Sequence, residues 1–269
     1  MSVKHYENFP VASLMVPKAQ RRAVELIYAF ARSADDLADE GDAPAEMRLK
    51  ALDRYLTELD RIEQKQTPES PLFQELAGIV AQHELPLDLF RSLIFAFKQD
   101  VTVKGYQNFN QLLNYCQHSA NPVGRLMLHL FKAVTPLNLK RSDNVCTALQ
   151  LINFWQDIDV DWKKNRVYLP QDELSLYHVS EQQIADRQWN DNFAALVDFQ
   201  IDRSRQIMLS GASLAQDLPG RFGWEIRLTV LGGLRILEKL RQVRGNVFAN
   251  RPTLGLSDWV LLGWRSLNY

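Results

Sequence analysis

The chain has few of the residues that mark the commoner catalytic and binding classes. Two cysteines, Cys116 and Cys146, stand among 269 residues, too few for a disulfide framework and without the paired spacing of a zinc site. Both fall in apolar helical contexts, which suit inert core thiols in a reducing compartment. Five histidines are scattered, and no Glu-x-x-His pair supports a di-iron bundle. No apolar run reaches the length of a membrane span, and Lys4, His5 and Glu7 precede no apolar signal segment. Neither sign of charge dominates: 31 basic residues against 32 acidic leave a net charge of -1. No global field therefore draws the chain to nucleic acid, and no basic run or nucleic-acid motif occurs. Walker loops, dinucleotide fingerprints and Gly-x-Ser-x-Gly elbows are missing, and Gly211-Ala212-Ser213 and Gly232-Gly233 are too short for phosphate loops. The expectation is a cytoplasmic protein, at most peripheral to the inner membrane, with no nucleic-acid partner.

Strand alternation is also absent, and what remains is helix. Periodicity and breakers predict helices over 17–41, from 44 onward, and over 72–83 and 86–101. A helix over 111–133 should kink at Asn121-Pro122 and Gly124. Another starts at Ser142 or Asp143 and runs to 163 or 164. Ser180 opens a short helix with Gln183 three later. Long helices follow over 189–218 and 221–247, then one over 256–264. In the helix over 86–101, Leu89, Leu93, Ile94 and Phe97 form the apolar face, and Asp100 ends the helix pointing where that face leads. Residues 1–269 are expected to form one all-α domain, a helical bundle.

Two stretches carry unusual charge. Gln150, Asn153, Asp157 and Asp161 share one helical stripe, with Leu149, Ile152 and Ile158 on other faces. Asp157 and Asp161 repel at i,i+4 by about 0.2–0.5 kcal/mol in an isolated helix. Tyr28, Arg32, Asp35 and Asp39 form a second stripe, backed by Val24, Ile27, Ala31, Ala34 and Ala38, with Asp36 and Glu40 beside it. Each stripe alone could be a solvated face. Facing each other across a bundle, they would converge four carboxylates, an arrangement that calls for divalent cations. Oxygen-only ligands select hard ions, Mg²⁺ above all, which bind with substrate phosphates. Two or three such ions would grip a diphosphate as its C–O bond breaks, and Arg32 can add a contact to phosphate. The other fragment is then an allylic or cyclopropylcarbinyl cation needing aromatic, water-poor walls. Phe9, Tyr28, Tyr115 and Tyr168 are candidates, although ordinary core packing accounts for any one of them.

These motifs resemble the squalene/phytoene synthase family, the head-to-head condensing branch of the class I isoprenoid synthases. The resemblance rests on residues 28–39, on Gln150, Asn153, Asp157 and Asp161, and on Arg166-Val167-Tyr168-Leu169-Pro170, and it spans nearly the whole chain. It implies an isoprenoid-synthase fold with a central apolar cavity, and Mg²⁺ on Asp35, Asp36, Asp39, Asn153, Asp157 and Asp161. Asp35, Asp39, Asp157, Asp161, Tyr28 and Arg32 would act in catalysis. Substrate contacts would fall on His5, Phe9, Tyr28, Arg32, Tyr115, Gln150, Asn153, Gln156, Arg166 and Tyr168, with Ala120, Val123 and Gly124 along a tunnel. Small residues beside a bend suit close helix packing equally well.

Within the family, the opening residues 5–13 and residues 153–163 are most similar to the bacterial hydroxysqualene synthases of hopanoid biosynthesis. That subgroup converts presqualene diphosphate and water to hydroxysqualene and diphosphate without a reductant, so the resemblance implies no NADPH. Gln156 stands where most condensing members carry Arg, and the tyrosine of carotenoid-type members is replaced near Gly233. Fewer cations would suit one diphosphate rather than two. A condensing synthase of two farnesyl or geranylgeranyl diphosphates, or a silent assembly factor on the same fold, remain as alternatives. Expected partners are an isoprenoid diphosphate, other enzymes of the hopanoid route and, transiently, a membrane surface. Trp259 and Trp264 are expected in core packing.

Overall fold

The computed structural model describes residues 16–267, and His5 and Phe9 lie outside the described residues. The helices are α1 (Lys18–Asp39), α2 (Ala45–Glu63), α3 (Pro71–His83), α4 (Leu87–Thr102), α5 (Phe109–Ser119), α6 (Asn121–Leu130) and α7 (Pro136–Lys163). They continue with α8 (Gln171–Leu176), α9 (Glu181–Ala185), α10 (Asp191–Gly211), α11 (Leu214–Asp217), α12 (Gly220–Gln242) and α13 (Leu256–Leu267). A lone parallel bridge between Gly105 and Val167 is the only strand-like pairing among the described residues, so the all-α expectation holds.

Local chemistry explains where the boundaries moved. The second acidic helix starts at Pro136, well before Ser142, because Thr135 caps it: its Oγ1 accepts from Asn138 N at 3.1 Å, and Pro is favoured in the first turn. The helix expected over 111–133 is two helices that meet at Ala120, since Pro122 has no N–H to continue the ladder. The predicted helices over 189–218 and 221–247 overran. α10 stops at Gly211, and α12 stops at Gln242 before Gly245 turns the chain at φ +71°. The Ser180 capping box forms as expected.

The core has two main parts. Helices α1 to α4 bury Phe30, Phe73 and Phe90, with Phe30 edge-on to both rings at 5.7 and 5.1 Å. Full burial of each such ring contributes about 1.5–3 kcal/mol. The second part surrounds α7, which packs along α10 and also meets α5, α6 and α12. Trp155 is buried there and donates from Nε1 to Ser204 Oγ at 2.8 Å, which satisfies its polar atom in the core.

Two glycines let helices approach α7. A Cβ on Gly124 would lie 2.3 Å from Ser142 Oγ and 2.6 Å from Cys146 Sγ. Close packing of α6 on α7 thus accounts for this residue, while Ala120 is half-buried and Val123 is 37% exposed. At Gly211 a Cβ would lie 2.5 Å from the Arg141 carbonyl oxygen, a backbone atom.

Trp259 and Trp264 correct the sequence reading. α13 buries Asp258, Leu262 and Ser266, one stripe at i,i+4,i+8. Asp258 Oδ1 accepts from Arg235 and Oδ2 from Lys239, at 2.7 and 2.6 Å. With that ionic anchor facing inward, Trp259 and Trp264 turn outward at 37% and 64% exposure, beside exposed Leu256, Val260 and Leu267.

Gly211→Ala should destabilise the protein by about 1–3 kcal/mol, because a backbone oxygen cannot yield to the new methyl. Chemical denaturation would measure this, and an unchanged midpoint would remove the packing argument.

Candidate active site

The two acidic stripes meet at their C-terminal ends. α7 closes with Asn165 at φ +56°, a left-handed position that Asn tolerates. Asn165 N then donates to Trp162 O and Arg166 N to Asp161 O, both at 2.9 Å, a Schellman closure. It turns Arg166 back across the cleft to α1. Arg166 grips Asp39 with both terminal nitrogens, Nη1 at 2.9 Å, and its Nη2 also donates to the Asp100 carbonyl at 2.9 Å. Lys164 Nζ reaches Asp39 Oδ2 at 2.9 Å. The extended segment after Arg166 is held by Val167 N donating to Lys104 O at 2.9 Å.

Each carboxylate sits in a different field. Burial raises the Asp39 pKa, but hydrogen bonds and charges from Arg166 and Lys164 outweigh it and leave the pKa lowered. Burial and the neighbouring Asp39 push Asp35 up to about 6, against Arg32 and Lys164. Burial and then Asp157 push Asp161 up to about 8, with Arg166 and Lys164 opposing and Asp39 adding to the rise. Asp161 Oδ2 is buried and has no hydrogen-bond partner among the described residues. Asp157 is gripped by Arg251, which donates from Nη2 to Oδ2 at 3.0 Å and from Nε to Oδ1.

Other expected residues are placed as follows. Arg32 pairs along its own helix with Asp35 at 3.1 Å and Asp36 at 2.7 Å, and also with Glu40. Tyr28 and Gln150 are half-buried and Asn153 is exposed. Gln156 is buried and turns away from the acidic stripe, its Nε2 donating to Pro252 O at 2.7 Å. Tyr115 and Tyr168 are buried together. Tyr168 stacks on Phe154 at 3.7 Å, and Tyr115 lies 5.9 Å from Tyr168 between ring centroids. The thiols of Cys116 and Cys146 are pushed up to about 12 and about 11 by burial, as inert core groups would be.

A small cavity of about 290 Å³ opens beside Asp39, with Arg48, Asp100, Lys104, Lys164 and Arg166 on its wall. A larger groove of about 790 Å³ lies against α5, α6 and α7, with His118, Asn121, Arg125, Asp143 and Thr147 among its lining. Its walls are more polar than the expected apolar cavity.

The sequence reading gave no site role to four groups here, although it had placed Asp100 toward the apolar face of its helix. Asp100, on the buried face of α4, is 6% exposed; the signal was its place in register with Leu93 and Phe97. Lys164 follows the motif directly. Arg251 comes from the turn between α12 and α13, with no local pattern to mark it. Tyr106 stacks on Tyr168 at 6.0 Å and was indistinguishable from a core tyrosine.

Among the described residues, no three His, Cys, Asp or Glu groups stand ready to hold a metal ion. Cations of the chain occupy Asp39 and Asp157 instead. The donor set still fits a hard divalent ion: it is all oxygen, and the buried Asp161 Oδ2 lacks any partner.

The Asp161 shift has a definite sign. The folded carboxyl holds its proton up to about pH 8, whereas an ordinary aspartate loses it near 3.8. Between those values the native state binds the extra proton, so rising pH removes stability across the window. Asp161→Asn should therefore be more stable than the parent near the upper end, with the difference shrinking as pH falls. Urea denaturation at several pH values would show this, and parallel stability curves would refute the raised carboxyl.

Comparison with known proteins bears on this site. Residues 2–258 match the family model for squalene/phytoene synthase. A squalene synthase, HpnC, from Alicyclobacillus acidocaldarius is 35% identical, with TM-score 0.82 and coverage of 89% of this chain and 90% of that one. A ligand-bound dehydrosqualene synthase superimposes with TM-score 0.86 over 96% of this chain and 89% of that one at 19% identity, and so speaks for the fold. The hydroxysqualene synthase of Zymomonas mobilis is 38% identical over 170 residues, which cover 62% of this chain and 55% of that relative, about half its length. The bundle is the isoprenoid-synthase fold of these neighbours, and the chain belongs to the squalene/phytoene synthase family.

Proposed function

We propose that the protein ionises presqualene diphosphate and delivers hydroxysqualene and diphosphate, with water as the second substrate. The carrying observation is the meeting of Asp39 and Asp161 beside Lys164 and Arg166, with Arg251 on Asp157, backed by buried aromatic rings. The likeness to the Zymomonas mobilis hydroxysqualene synthase supports the water-capturing reaction, while a likeness to the 15-cis-phytoene synthase of Synechococcus elongatus, 26% identical over 93% of this chain and 85% of that one, keeps a condensing reaction as the second reading. On this reading residues 1–269 act as one catalytic domain.

Asp35, Asp36, Asp39, Asn153, Asp157 and Asp161 would hold two or three Mg²⁺ ions. Bound there, the ions supply Lewis-acid neutralisation of the departing diphosphate. The chain's own groups do the rest. Arg32, Lys164, Arg166 and Arg251 now satisfy carboxylates of the two acidic stripes. When the carboxylates take other partners, these cations are free to turn to phosphate oxygens, where guanidinium groups bind in pairs. Tyr115, Phe154 and Tyr168 present ring faces to the hydrocarbon fragment, and their packing limits water beside a cation.

Incubation with Mg²⁺ and presqualene diphosphate, without reductant, should yield hydroxysqualene by mass spectrometry, and farnesyl diphosphate alone should be consumed more slowly. Equal rates on the two substrates would favour the condensing reading. Asp35→Asn and Asp157→Asn should each lower turnover at least about 100-fold, with circular dichroism unchanged. An active Asp157→Asn would remove that residue from the metal set.

The hydrocarbon product also gives the outward face of α13 a use. Its exposed Leu256, Val260 and Leu267 bear no charge, and no helix among the described residues is long and apolar enough to cross a membrane. A surface contact with lipid fits that face. Leu256→Ser with Val260→Ser should reduce sedimentation with phosphatidylcholine vesicles, and undiminished sedimentation would exclude α13 as the contact.

A further inference from the structure

We infer that Asp100 is a positioning residue for this reaction, fixing the hydroxyls of Tyr115 and Tyr168 where the charged cleft meets the aromatic wall. The inference rests on the proposed ionisation of an isoprenoid diphosphate but adds a group outside both acidic stripes. Asp100 projects from the last turn of α4 and is 6% exposed. Its carboxylate accepts from Tyr115 Oη at 2.8 Å to Oδ1 and 3.0 Å to Oδ2, and Tyr168 Oη stands 3.5 Å from Oδ1. Arg166 touches the backbone carbonyl of Asp100 at 2.9 Å.

A purely structural account of Asp100 is weak. A buried carboxylate is costly unless a cation pairs with it, and no such pair to its oxygens occurs among the described residues. Burial, only partly offset by Arg166 and Tyr115, pushes the group up to about 7. An apolar residue would fill the site at less cost. What the carboxylate supplies is direction. A phenol has one proton, and Tyr115 commits it to the hydrogen bond it donates to Asp100. Its oxygen can therefore meet a substrate or a water only as an acceptor. It cannot donate to a diphosphate oxygen, so it belongs to the cationic fragment rather than the leaving group. Tyr106 lies 5.5 Å from Tyr115 and 6.0 Å from Tyr168 between centroids, so three phenol rings cluster beside the one carboxyl group. Arg166 joins this group to Asp39, which ties the ring wall to the end of α1.

Steady-state kinetics of Asp100→Asn, Tyr115→Phe and the double variant test the inference. Asp100→Asn should lower kcat about 10- to 100-fold through lost preorganisation, with KM within about threefold because ground-state binding is spared. Tyr115→Phe should do the same, and the double variant should be no slower than the slower single one, as for residues that act as one unit. Parent kcat in Asp100→Asn, or losses that multiply in the double variant, would overturn the assignment. If Asp100→Asn fails to fold by circular dichroism, Tyr115→Phe with Tyr168→Phe removes the partners and leaves the carboxylate. That pair must then show the kcat loss with KM retained, and a normal kcat overturns the inference. Both substrates are used throughout. A parent that consumes only farnesyl diphosphate sinks the proposed function, while the Asp100 effect is still read on that turnover. A parent inactive on both sinks both.

Discussion

Carboxylates crowded into one cleft repel each other, and the rest of the structure is arranged around containing that repulsion. Two like charges about 4 Å apart at an effective dielectric near 20 oppose each other by about 4 kcal/mol. Here Asp39 and Asp157 are each held by basic side chains drawn from other segments, while Asp161 keeps a partnerless buried oxygen. Arg166 is the hub. One guanidinium satisfies the end of α1 and the end of α4 together, and its position depends on the turn that closes α7. Breaking such a buried pair by removing one partner typically costs about 3–5 kcal/mol, so the hub has structural as well as chemical weight.

α7 divides the molecule into a charged side and an oily one. Asp157 and Asp161 look toward α1 and the turn after α12, while Leu151, Phe154, Trp155 and Ile158 are packed in the core. The charged side needs that packing, because an acidic helix free to rotate would turn its carboxylates into water. Trp155 on Ser204, the Gly211 contact with α7 and Thr147 donating to Asn121 Oδ1 at 2.9 Å fix its rotation. The same rigidity keeps Tyr115 and Tyr168 against Phe154. In the proposed reaction, charge is handled at one end of the cleft and hydrocarbon at the other, with Asp100 and Arg166 between them.

Much of this was legible in residue order because it is local. The i,i+4 spacing put Asp35 with Asp39 and Asp157 with Asp161, and the apolar residues on other faces required both helices to pack inward. Capping chemistry predicted the Ser180 turn. Where a local signal was misjudged, as at Thr135-Pro136, the helix began earlier than expected. Gln156 illustrates a different limit. Its neighbourhood in sequence is the acidic motif, yet one residue of helix rotates its side chain by about 100°, toward Pro252. The outward turn of Trp264 was missed for a related reason: burial of α13 is decided by the ion pairs of Asp258, whose partners lie on another helix.

By itself, the order of residues determined an all-helical chain with two acidic stripes, an aromatic supply and no Walker or dinucleotide motif. Those are properties of spacing and composition, and they survive any packing. Only the tertiary structure decided that Arg251, nearly a hundred residues away, grips Asp157, that Lys164 and Arg166 face Asp39, and that Asp100 receives two tyrosines. Electrostatic attraction weakens with distance in space and strengthens with burial, so the partners of these groups could come from any part of the chain that the packing brings near.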